Sequence, residues 1–243
     1  MMPMAILEAS SNDNNVIKQK GLYMRKTIIS GIIASVFGLL APHIAQAQGT
    51  LYVSSLGLTS SGSASVGSDS WLAADFATGT NAGAYLLNSV QLALADASGN
   101  PSGFTAMLYT AIVGRAVAVG SSLGTLNGSL NPVAGGIYTY SPSSNLLLPP
   151  NTVYFIVLTA GTAVANGPYE WSFTSTYPPV SSGGWHGGDA FLFSSDGLLW
   201  QGTAGSYAQF GINASAVPEP STLGLLALGG FFLFWHRRKA KAV

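Results

Sequence analysis

Between residues 49 and 215 the chain is written in short apolar or alternating runs, each closed by Gly, Ser, Asn or Pro. No stretch in it keeps a helical period over three turns, so helices are excluded as the main building unit. The runs predict strands at 51–54, 70–76, 85–94, 104–110, 136–140, 152–160, 169–174, 190–193, 198–201 and 207–213. Within the third, Val90, Leu92 and Leu94 point one way while Gln91 and Ala93 point the other, the two-residue period of a half-buried strand. Val153 to Leu158 is apolar on both faces and reads as a central strand. Asp96-Ala-Ser-Gly-Asn-Pro and Ser195-Asp196-Gly197 carry turn chemistry. About ten strands at this spacing predict an all-β single domain, a β-sandwich or jelly roll, over residues 48–215.

Charge is segregated. Lys18, Lys20, Arg25 and Lys26 stand at the front and Arg237, Arg238, Lys239 and Lys241 at the back. Residues 49–215 hold one base, Arg115, against six acids, Asp69, Asp75, Asp96, Glu170, Asp189 and Asp196, a net charge of −5. A surface without a basic footprint cannot neutralise phosphates, which excludes nucleic acid as a partner. Only 7% of the chain is charged, against about 25% in ordinary soluble proteins. Hydroxyls and amides supply solubility instead. With no cysteine, the core has to suffice without disulfides, and thiolate chemistry is excluded.

The two ends follow different rules. From Met24, Arg25 and Lys26 form a positive n-region, residues 28–40 an apolar h-region, Pro42 a helix break, and Ala45-Gln46-Ala47 a small-x-small cleavage site. Residues 24–47 therefore read as a signal peptide, cut after Ala47. Two readings stand for residues 1–23: sequence upstream of a true start at Met24, or an extended n-region. At the other end, residues 216–243 place Val217-Pro218-Glu219-Pro220-Ser221 before an apolar run, read as a transmembrane helix over about 221–235, and a basic cluster at 236–243. Arg237, Arg238 and Lys239 would stop the helix on the cytoplasmic side. The apolar run is short for a spanning helix and holds Gly224, Gly229 and Gly230, which makes it a weak permanent anchor.

Motif, apolar segment and basic tail occur in the order of the PEP-CTERM sorting signal, which this end resembles. The resemblance implies a processing partner in the inner membrane, an exosortase, in Gram-negative bacteria that make exopolysaccharide. It further implies an exported protein held first by its C-terminal helix, then passed to the cell surface or extracellular matrix. A plain membrane anchor with a Pro-rich stalk is the alternative. The middle domain resembles the choice-of-anchor β domains, the R type most closely. The segments that carry this are Asp69-Ser-Trp-Leu-Ala-Ala-Asp-Phe, Leu87-Asn-Ser-Val-Gln-Leu, Pro101-Ser-Gly-Phe-Thr, Ser122-Leu-Gly-Thr-Leu and the stretch 148–158.

Chemistry is sparse. His186, in a glycine loop, is the one histidine left after processing at both ends, and no G-x-S-x-G elbow accompanies it. Glycoside hydrolysis would need Glu170 and an aspartate facing each other across a cleft. The aspartates are too scattered for a D-x-D-x-D-G calcium loop. The sequence thus predicts no catalytic residue, cofactor or metal. Carbohydrate binding is the competing function: Trp171, Trp185 and Trp200 are the candidate sugar-stacking residues, with Trp185, between glycine pairs, expected to be the most exposed. Leu148-Pro-Pro-Asn-Thr-Val-Tyr154 reads either as a tyrosine corner or as a Pro-rich loop entering a strand. The predicted function is a non-enzymatic envelope or matrix protein associated with exopolysaccharide or biofilm.

Overall fold

The computed structural model describes residues 49–81, 83–112, 118–202 and 205–218, all of one compact unit. The predicted signal peptide with Ala45 and Ala47, the tail from Glu219 onward and residues 1–23 lie outside the described residues. Among the described residues no helix is long and apolar enough to cross a membrane.

The alternating runs form strands β1 (Thr50–Ser54), β2 (Gly62–Val66), β3 (Trp71–Ala77), β4 (Tyr85–Ala95), β5 (Thr105–Ile112), β6 (Ala118–Asn127), β7 (Gly136–Pro142) and β8 (Leu147–Leu148). They continue with β9 (Val153–Thr159), β10 (Tyr169–Thr174), β11 (Val180–Ser181), β12 (His186–Ser194), β13 (Gln201–Gly202), β14 (Tyr207–Ala208) and β15 (Phe210–Ala216). The fold is all-β, as the punctuation predicts. The strands pair antiparallel in the order β11-β1-β15-β4-β7-β6-β5-β9-β3-β12-β13, with β10 attached to β4, β2 and β14, and β8 attached to β4. The two halves are one curled sheet. β7 pairs with β4 through residues 136–140 and hands over to β6 through Ser141 and Pro142.

Both halves turn an apolar face inward. β3, β5 and β9 contribute Phe76, Leu108 and Ile156, and β1, β4 and β15 contribute Val53, Val90 and Ile212, all fully buried in one cluster. β9 is buried on both faces, as a doubly apolar central strand requires. Its outward residues Phe155 and Val157 join Ala73, Met107 and Val119 in a second, smaller cluster.

The polar side chains Gln209, Ser55 and Thr78 inside this core are paired, as burial demands. Gln209, between β14 and β15, is 3% exposed. Its Nε2 donates to the Leu58 carbonyl at 2.6 Å, and its own carbonyl accepts from Trp171 Nε1 at 3.0 Å. Ser55 Oγ donates to the Ala208 carbonyl and accepts from the Phe210 amide, each at 2.9 Å. The entry to β9 is pinned by Thr78, whose Oγ1 donates to the Pro149 carbonyl at 2.6 Å and accepts from the Thr152 amide at 3.0 Å. Tyr154 stacks its ring on Phe76 at 5.6 Å and its hydroxyl interacts with the Thr152 side chain, so the tyrosine and a threonine on β3's exit share this corner.

Candidate functional site

The tryptophans expected to stack on sugars are mostly core. Trp171 is 0% exposed and Trp185 2%; Trp200 is half-buried and, like Trp71, packs against the outward apolar cluster. Trp185 lies parallel to Tyr52 at 4.7 Å and to Phe76 at 6.0 Å, and meets Tyr85 edge-on at 4.8 Å. The glycines around it are not a flexible exposed loop. Gly183 and Gly184 adopt φ of 60° and 76°, and the turn they make packs on Gly79, where a Cβ would fall 1.9 Å from the Gly183 carbonyl oxygen. That close approach drives Trp185 into the core. Among the described residues its indole Nε1 has no acceptor.

The acids hold loops. Asp69 Oδ1 accepts the Val164 amide at 2.8 Å, Asp75 the Ala190 amide at 2.7 Å, and Asp96 the Gly135 amide at 2.7 Å. Asp196 accepts the Leu198 and Leu199 amides at 2.8 and 3.2 Å. These bonds hold its carboxyl below the usual range, helped by Ser194. Asp189 accepts the Tyr177 hydroxyl, which with burial pushes that phenol up to about 12. Glu170 accepts Ser65 Oγ at 2.9 Å across the β10–β2 pair. Asp75 is the one buried acid among the described residues: burial raises its pKa, the Ala190 amide offsets part of this, and the nearby Asp189 charge adds to the rise. His186 is exposed at the start of β12. Among the described residues no three potential ligands converge to hold a metal.

A different arrangement is built on the outward face of β1, β15, β4 and β7. A groove of about 560 Å³ is lined by Gly49, Leu51, Asn88, Ser89, Gln91, Thr139, Ser141 and Asn213. One row across it is set by Thr139, Gln91 and Gly211, which face each other in the ladder. A second row joins Ser89, Asn213 and Leu51. Just beyond the second row β4 carries a bulge against Asn213 and Ala214, so the extra residue Asn88 stands beside Ser89 on the same face. Bulges re-aim side chains in this way. Asn88 Oδ1 accepts Ser215 Oγ at 3.0 Å and crowds Gly49, where a Cβ would lie 2.5 Å from it. Every hydrogen-bonding side chain lining the groove is an amide or a hydroxyl, and none is charged. The sequence reading missed this site. Its one local signal is Asn88-Ser89, two polar residues in succession inside an otherwise alternating strand.

The third feature is the root of the tail. Ala216 pairs with Tyr85 as the last rung of β15. The next residue is also held: the Val217 amide donates to the Ala84 carbonyl at 3.0 Å, and its carbonyl accepts Asn81 Nδ2 at 3.2 Å. Asn81 Nδ2 also donates to the Ala84 carbonyl at 2.6 Å, in a turn that places Ala84 at φ 70°. Pro218 is exposed.

A strand-held exit followed at once by Pro-Glu-Pro marks a folded domain carrying a sorting tail. Residues 216–239 match the family described as the PEP-CTERM protein-sorting motif. The match takes in Val217, Pro218, Glu219, Pro220 and Ser221 and the cluster Arg237, Arg238 and Lys239. It implies export and exosortase-mediated sorting to the surface. Among curated proteins no sequence matches the chain. Among solved structures, the cysteine protease and lectin-like domains of Cwp84, a surface layer associated protein of Clostridium difficile, align at 12% identity with a TM-score of 0.38. That alignment covers 61% of this chain and 33% of the other, so this chain spans about a third of that protein's length, and a likeness so slight defines neither fold nor function.

Proposed function

We propose that this is a non-enzymatic envelope or matrix protein, delivered by its sorting tail to the polysaccharide-rich exterior of the cell. The observation that carries the reading is the position of the motif. It begins on Ala216, the final residue of β15, with Val217 still bonded to the domain, so the tail delivers the folded β domain itself. The commitment of the acids to loop amides and hydroxyls favours a structural or binding role over hydrolysis, which would need a free carboxyl pair across a cleft. Intact mass of the protein from membrane and extracellular fractions of its host tests the proposal. The expected product starts at Gln48, ends near Pro218–Pro220 and lies outside the cell. A single membrane-bound species retaining residues 231–243 would leave an ordinary anchored protein instead.

A further inference from the structure

We propose that the groove on β1, β15, β4 and β7 binds a neutral polysaccharide through its hydroxyl groups. The inference deepens the reading above, because a domain released among exopolysaccharide would meet such chains.

The lining decides the ligand class. Asn88, Gln91 and Asn213 each offer an amide that donates and accepts, while Ser89, Thr139 and Ser141 offer hydroxyls that do the same. Sugar hydroxyls need this mixed capacity at each contact. Much of it is unspent: among the described residues the side chains of Ser89, Thr139 and Ser141 make no hydrogen bond, and Asn213 to Gln91 is a long contact at 3.4 Å. Leu51, 46% exposed at the rim, adds an apolar surface for the C–H face of a ring. Other ligands fit poorly. Among the described residues no lysine or arginine lines the groove to neutralise a phosphate or uronate, and no carboxylate lines it to hold a cation. A peptide adding as a strand needs a sheet edge, whereas these four strands are paired side by side. They span about 14 Å, open at the face, so a chain can lie across them without an end being recognised.

The bulge makes the arrangement a built one. Asn88 is the extra residue of β4 opposite Asn213 and Ala214, and Gly49 supplies the space its amide occupies. Gly211, opposite Gln91, leaves room for the side chain of Leu51, which a Cβ there would approach to 3.3 Å.

Affinity electrophoresis tests this with the full-length chain in a non-glycosidic detergent, so no detergent sugar competes and no tail processing is required. The gels contain dextran, galactomannan or xyloglucan as neutral polymers, and alginate as the acidic control. Retardation by at least one neutral polymer and none by alginate is expected. The Gln91→Ala/Asn213→Ala double variant should weaken binding at least about tenfold, since two hydrogen bonds are lost. Thr139→Arg, an exposed change that fills the groove, should do the same with an unaltered unfolding temperature. Trp200→Ala should bind as the wild type does. Absence of retardation in every neutral polymer overturns the proposal, as does equal binding by Thr139→Arg. Retardation by alginate alone would also overturn it. The sorting reading stands or falls separately, on the masses of the exported species.

Discussion

At the scale of single residues, two side chains carry unusual cost. Trp185 fills an aromatic box between Tyr52, Phe76 and Tyr85 while its indole N–H lacks an acceptor among the described residues. Removing the ring empties that box, so Trp185→Ala is expected to cost about 3–5 kcal/mol. Trp185→Phe keeps an aromatic in place and deletes the orphan donor, so it should cost only about 1–2 kcal/mol. Chemical denaturation of the two variants checks the gap; equal losses would mean the indole nitrogen is satisfied in solution. Asp75 is the second. Its pKa is raised chiefly by burial, and a carboxyl raised in the folded state opposes folding while it is ionised. That penalty is full above the folded-state pKa and absent below the ordinary value of 3.8. Asp75→Asn keeps an oxygen for the Ala190 amide without the charge. Its unfolding temperature should therefore exceed the wild type's at pH 7, with the difference closing as pH falls toward 3.8. A lower value at pH 7 would show that the bond from Ala190 needs the charge.

At the scale of elements, the turn before β4 governs how the tail leaves. Asn81 Nδ2 bridges the Ala84 and Val217 carbonyls, so Asn81→Ala removes two hydrogen bonds at a partly exposed site, worth about 1 kcal/mol. The expected readout is local: faster hydrogen exchange at the Val217 amide, with β9 amides unchanged. Uniformly faster exchange would instead place Asn81 among the determinants of global stability. How far elements could be read from sequence depends on what their outward residues are. β10 was legible residue for residue, because Tyr169, Trp171 and Phe173 alternate with polar positions. β9 was legible from its continuous apolar run. β6 was not: its ten residues, half of them Gly, Ser or Thr on an exposed pattern, look like a loop until β5 supplies a partner. The predicted strand at 198–201 is mainly the turn that Asp196 caps, leaving Leu198 and Leu199 79% and 77% exposed. The groove was illegible for a related reason. Ser89, Gln91, Thr139 and Asn213 occupy ordinary outward positions of their strands, and only the pairing of β4 with both β7 and β15 gathers them. The aromatic pattern misled at Trp185, since glycine runs serve close backbone packing as readily as exposed loops.

At the scale of the whole molecule, both chain ends leave the described domain from adjoining strands. Thr50 opens β1 opposite Ala214, and Ala216 closes β15 opposite Tyr85. The expected mature start at Gln48 therefore lies two residues from the first rung, and the sorting motif starts on the last. This leaves little chain to spare at the C-terminal cut. β15 lies between β1 and β4, and its Ile212 and Ala214 are fully buried, so it is interior to the sheet. Its rungs to both neighbours run as far as Ala214, and those to β4 as far as Ala216. A chain ending after Val217 should keep its unfolding temperature and resistance to protease, because every rung and both Val217 bonds survive. A chain ending after Asn213 loses the Ala214 side chain from the core and the last rungs to β4, and should unfold at markedly lower temperature. Producing both forms from residue 48 onward and melting each one checks this. If the shorter chain proved equally stable, release upstream of the motif would be tolerated. If it is destabilised, the fold itself confines processing to the bonds beyond Val217.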